Sequence, residues 1–108
     1  MKQPNSKMCF ILVELCAVST LQRIADDVPE IISVLKRLAD GELQQVFRSR
    51  DGLVFGFFMR TSLPLDVVRS SLQRSEASLG DDSFLLLEVS DEFSAKGFSR
   101  AWTWLQHN

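Results

Sequence analysis

The stretch Leu43-Gln44-Gln45-Val46-Phe47-Arg48-Ser49-Arg50-Asp51-Gly52-Leu53-Val54-Phe55-Gly56-Phe57-Phe58-Met59-Arg60 decides the fold. Two apolar runs flank Ser49-Arg50-Asp51-Gly52. An Asp-Gly step between such runs is a strong local signal for a β-hairpin, because Gly accepts the positive φ that a tight turn demands. The spacing predicts strands over 43–48 and 53–60, joined by that turn.

Working outward, each arm of the hairpin meets a helical pattern and then another strand. Toward the N-terminus, Leu21, Ile24, Val28, Ile31, Ile32, Leu35 and Leu38 recur every three or four residues, which is one apolar helical stripe. Pro29 lies within it and Asp26-Asp27 stand just before. That order predicts a helix starting near Asp27 with Pro29 in its first turn, and residues 20–26 as a separate turn or kinked extension. Asp40-Gly41 supplies the stop, with Lys36 and Arg37 suited to the negative end of the dipole. Before the helix, residues 8–16 (Met8-Cys9-Phe10-Ile11-Leu12-Val13-Glu14-Leu15-Cys16) form an apolar run of strand length. Toward the C-terminus, Pro64 opens a second helix over 64–74, with Leu65, Val68 and Leu72 on one side. Gly80-Asp81-Asp82 marks a turn before a strand over 84–89, and Phe98, Ala101, Trp102 and Leu105 share one side of a C-terminal helix, with Trp104 off that side. The order β-α-β-β-α-β-α contains two right-handed crossovers joined by a hairpin. It predicts an α+β, ferredoxin-like βαββαβ sandwich with an extra C-terminal helix, both main helices lying on one face of the sheet.

With 108 residues the chain is expected to form one domain, 1–108, of which residues 1–7 are a flexible N-terminal tail. A chain of this length buries roughly two-thirds of the surface its unfolded form exposes, enough for a core without disulfides or metal. Its net charge of −2 and pI near 5.3 argue against a dedicated duplex-binding protein, which carries a basic face. Cys9 and Cys16 stand seven residues apart in the first strand, an odd spacing that puts them on opposite faces, so they read as buried free thiols in a reducing compartment. The N-terminus imitates a signal peptide, with Ala17 and Ser19 at small-residue positions, but Glu14 breaks the apolar run. No run reaches the ~18 apolar residues of a membrane span. The expected setting is cytoplasmic.

The two middle strands carry the most information about use. With helices on one side only, the other side should be polar, and each strand should alternate. In the first strand Cys9, Ile11, Val13 and Leu15 point one way, yet Phe10 and Leu12 point the other. In the third, Leu53, Phe55, Phe57 and Met59 oppose Val54, Gly56 and Phe58. Covering even ~400 Å2 of such surface is worth about 10 kcal/mol before association costs, and patches of that size mark partner surfaces. A homodimer packed through the helix-free face is expected, with Phe10, Leu12, Phe58 and Trp104 at its interface. The alternative cover is the chain's own C-terminal helix.

The short apolar first strand running into a polar turn, the hairpin, the block Asp81-Asp82-Ser83-Phe84-Leu85-Leu86-Leu87-Glu88-Val89-Ser90 and the tail Ala95-Lys96-Gly97-Phe98 through Trp102-Thr103-Trp104-Leu105 together resemble the SinR-like proteins. These are relatives of the small CRISPR-associated nucleases. The resemblance implies a ferredoxin-like dimer serving as a binding or assembly domain. Nucleases of that group carry an aspartate at the end of the first strand, where two copies hold a divalent metal across the dimer. Here the position reads Val13-Glu14-Leu15-Cys16, so Glu14 is the candidate catalytic and metal-ligating residue. A metal-dependent endonuclease using Mg2+ at paired Glu14 carboxylates is the second reading. No other metal or cofactor is expected.

A ligand-sensing regulatory module is the third reading. RNA-recognition domains share this topology, and Phe10 with Phe55-Gly56-Phe57 imitates their stacking platform. Arg48, Arg50 and Arg60 are the candidate nucleic-acid contacts. The Arg/Lys-Gly opening of that motif is absent. His107, the single histidine, sits beside the C-terminus, a poor place for a catalytic base. Asp26, Asp27, Asp40, Asp81 and Asp82 fall at caps and turns, where carboxylates have structural work.

Overall fold

A computed structural model describes residues 6–90 of the chain. The expected C-terminal helix, with Trp104 and His107, lies outside the described residues, as does most of the expected N-terminal tail. The element order is β1 (Lys7–Glu14), α1 (Leu21–Leu38), β2 (Leu43–Arg48), β3 (Val54–Thr61), α2 (Leu65–Arg74) and β4 (Ser83–Glu88). The four strands form one sheet in the order β2-β3-β1-β4, antiparallel at every pairing. That order, with both crossover helices on one side, is the ferredoxin-like α+β sandwich.

The core lies between the sheet and the helices. Cys9, Ile11, Val13, Phe55, Phe57 and Met59 pack from the two middle strands against Ile31, Val34 and Leu35 of α1 and Val68 and Leu72 of α2. Thr61, a buried polar residue, donates to the Leu38 carbonyl at 3.0 Å and accepts from the Leu63 N–H at 3.1 Å. It thereby satisfies one of the carbonyls that every helix C-terminus leaves unpaired. The hairpin turns as the Asp-Gly step requires, with Gly52 at φ 75°. Asp51 secures the turn, accepting from the Ser49 hydroxyl and the Leu53 N–H.

Several element boundaries differ from the sequence expectation. Helix α1 starts at Leu21 rather than near Asp27, and Pro29 sits in its interior. The Thr20 hydroxyl accepts from the Arg23 N–H at 3.0 Å, a proper N-cap, and Ile24 and Val28 pack on the core. These contacts outweigh the hydrogen bond that Pro29 cannot make to the Ala25 carbonyl. Strand β1 begins at Lys7, which pairs with Thr61 and donates from Nζ to the Leu63 carbonyl at 2.6 Å, so Lys7 is not tail. The strand ends at Glu14, leaving Leu15 and Cys16 beyond it. Cys9 is buried as expected, but Cys16 is half-exposed, because its segment turns away toward α1. Strands β3 and β4 are each displaced by one residue, to Val54 and Ser83.

Candidate functional site

Strand register fixes what the helix-free face presents, because directly paired residues share a face. Phe10 lies between Phe58 of β3 and Leu87 of β4. Leu12 lies between Gly56 and Leu85, and Glu14 between Val54 and Ser83. The Phe10 and Phe58 rings meet with centroids 5.4 Å apart. Phe58 and Val89 pack on the buried Met8, forming a second apolar cluster on the side of the sheet away from the helices. Phe47 of β2 lies over Gly56, where any Cβ would collide with its ring. Gly56 is therefore the residue that lets Phe47 lie flat on the sheet. Leu85 and Leu87 complete the patch, each 50% exposed. The structure thus brings Phe10, Leu12 and Phe58 together as expected. It adds Met8, Phe47, Leu85, Leu87 and Val89, which pattern reading passed over. The alternating positions in Phe84–Val89 held that signal, but assigning a face to them required the β1–β4 register.

Glu14 is exposed at the end of β1. It borders a depression of about 430 Å3 lined also by Cys16, Asp51, Leu53 and Asp81. Among the described residues no group of three or more His, Cys, Asp or Glu side chains is placed to hold a metal ion. The candidate arginines do not converge. Arg48 pairs with Phe55 and Arg50 lies in the adjacent turn, whereas Arg60 pairs with Met8 at the other end of β3. Five residues of strand put Arg48 and Arg60 about 17 Å apart along the sheet, and the register places them on opposite faces.

A polar centre that sequence reading missed joins the start of α1 to the loop before β4. The Asp82 side chain is 0% exposed and that of Arg23 11%. Arg23 donates from both terminal nitrogens to Asp82, from Nη2 also to the Ala77 carbonyl at 3.0 Å, and from Nε to Asp27 at 2.9 Å. Asp82 also accepts from the N–H groups of Cys16 and Leu79, both at 2.9 Å. Burial pulls the Asp82 carboxyl upward. Arg23 and the two backbone donors more than offset that, and hold it below its ordinary value. The same pair raises the Arg23 guanidinium further, chiefly through the Asp82 hydrogen bond. Nearby, a groove of about 820 Å3 between the helices is lined by mixed charge, with Asp26, Asp27, Glu30 and Glu76 facing Arg37 and Arg74. Cys9 is not a poised nucleophile. Burial pushes its thiol up to about 11, with Lys7 acting against and Glu88 with that shift.

No family model matches the chain, and neither a curated protein nor a solved structure matches it. No helix among the described residues is long and apolar enough to cross a membrane.

Proposed function

We propose that this chain is a small, non-catalytic assembly domain in which two copies pack through their helix-free sheet faces and act as one binding unit. The observation that carries the reading is Leu85 and Leu87, each half-exposed, standing beside Phe10, Leu12 and Phe58 on one side of the sheet. A contiguous apolar face of this kind is the usual mark of a partner surface, and a twofold axis covers it with an identical copy. The resemblance to SinR-like relatives of the small CRISPR-associated nucleases supports the same reading, since those nucleases assemble as ferredoxin-like dimers. The endonuclease reading rests on Glu14; Asp51 and Asp81 border the same depression, but among the described residues no three such side chains are placed to hold a metal ion.

Sedimentation equilibrium tests the proposal. Phe58→Glu and Leu12→Lys each put a charge into the face, and each is expected to halve the mass of the particle in solution while far-UV circular dichroism stays native. A folded variant with unchanged mass means the face is not the contact. A single-chain wild type at about 100 μM, a concentration where even weak association of ~6 kcal/mol is seen, ends the reading outright.

A further inference from the structure

The two edges of the sheet are built differently. On β2 the pairing steps from Gln45↔Phe57 to Phe47↔Gly56, so Val46 is an extra residue that bulges the strand. Bulges and charges are how proteins blunt an exposed edge. On β4 the pairing with β1 runs without interruption from Ser83 to Glu88, and Ser83-Phe84-Leu85-Leu86-Leu87-Glu88 holds no proline, no glycine and one charge. Among the described residues no strand pairs with the outer side of β4. A regular apolar edge of this kind is a template for another strand.

The hydrogen-bond phase tells which groups are on offer. Val89 donates its N–H to the Met8 carbonyl at 2.9 Å. Alternation along an antiparallel strand then turns the backbone groups of Leu85 and Leu87 toward β1 and those of Phe84, Leu86 and Glu88 outward.

We propose that two copies of this chain join edge to edge through β4, antiparallel about a twofold axis at Leu86, into one eight-stranded sheet. In this register Leu86 exchanges both backbone bonds with its own copy, and Phe84 does the same with the partner's Glu88. Leu85 falls opposite the partner's Leu87 on the helix-free face, which extends the apolar surface across the junction. The lone charge, Glu88, meets Phe84 and not another carboxylate. Moving the axis to Leu85 sets Asp82 against Glu88, a like-charge pair that destabilises a sheet. This contact is separate from the face contact and does not depend on it.

Glu88→Pro is the decisive variant. Proline is tolerated on an edge strand where its missing N–H faces outward, so β1 pairing survives while the outer bond is lost. Glu88→Pro is expected to halve the mass in solution, and combined with Phe58→Glu to quarter it. An unchanged mass in Glu88→Pro overturns the edge contact, whatever Phe58→Glu does. Independently of any effect on folding, Leu85→Cys with Leu87→Cys, in a Cys16→Ser background, is expected to give a cross-linked dimer on a non-reducing gel. Neither single cysteine gives one, because each faces the other position. Absence of the cross-link in the double variant overturns the register. Slow hydrogen exchange at Phe84, Leu86 and Glu88 in a particle of one chain also overturns the proposal, since the chain's own tail then covers the edge.

Discussion

At the scale of single residues, Asp82 does more than its position in a turn suggests. It draws the start of α1, the segment after β1 and the turn before β4 onto one carboxylate. Removing one member of a buried pair strands the other, so Asp82→Asn is expected to cost about 2–4 kcal/mol at neutral pH, read as a lower urea midpoint. The pH dependence follows from the sign. The folded carboxyl lies below its unfolded value, so its contribution is complete above the unfolded pKa near ~4 and fades as the pH falls through the lower folded value. The wild type should therefore lose stability on acidification through that window, and the Asn variant should lack this part of the loss. Equal midpoints for the two proteins at pH 7 would remove the clasp from the account. The sequence hid this pair because Arg23 and Asp82 are 59 residues apart, and no local pattern links a helix start to a distant turn.

At the scale of elements, α1 shows how tertiary packing overrides a local signal. Pro29 after Asp26-Asp27 imitates a helix start, yet Thr20 caps the chain earlier and the stripe Leu21–Leu38 continues through the proline. Its ring faces solvent, so Pro29→Ala restores a backbone bond and loses no packing. It is expected to stabilise the protein by about 1–3 kcal/mol in urea unfolding. A loss of stability would show that the ring has a partner the exposed surface conceals. The strands and the hairpin, in contrast, were legible in advance. Period-2 alternation in β1 and β3 and the Asp51-Gly52 step are local properties; the register, which sets Arg48 against Phe55 and shifts at Val46, is not. What alternation could not supply was the neighbour of β4, and with it the membership of Leu85 and Leu87 in the face. The apolar half of the candidate site was thus half readable: Phe10, Leu12 and Phe58 came from the middle strands, while Phe47 needed its bulge and Gly56.

At the scale of the molecule, charge bears on the choice of partner. The net charge is −2, and Arg48 and Arg50 share one end of the sheet while Arg60 takes the other. Of these three candidates, at most two neighbouring cations then meet a nucleic-acid backbone together. A single strand contacting two phosphates should lose roughly sevenfold in affinity between 50 and 200 mM salt. A loss beyond ten-fold in filter binding would require a larger basic surface than Arg48, Arg50 and Arg60 provide.

The extra residue at Val46 has a consequence for how far self-association can go. Were both rims of the sheet straight, the outer strand of one molecule would seat on the opposite rim of the next. Every addition would then expose a fresh seat, the open-ended geometry of a fibre. The kink in β2 denies the incoming strand a flat landing, so growth along that direction stops once like meets like. On the proposed β4 pairing, one residue out of register on β2 would thereby confine edge growth to a pair of molecules.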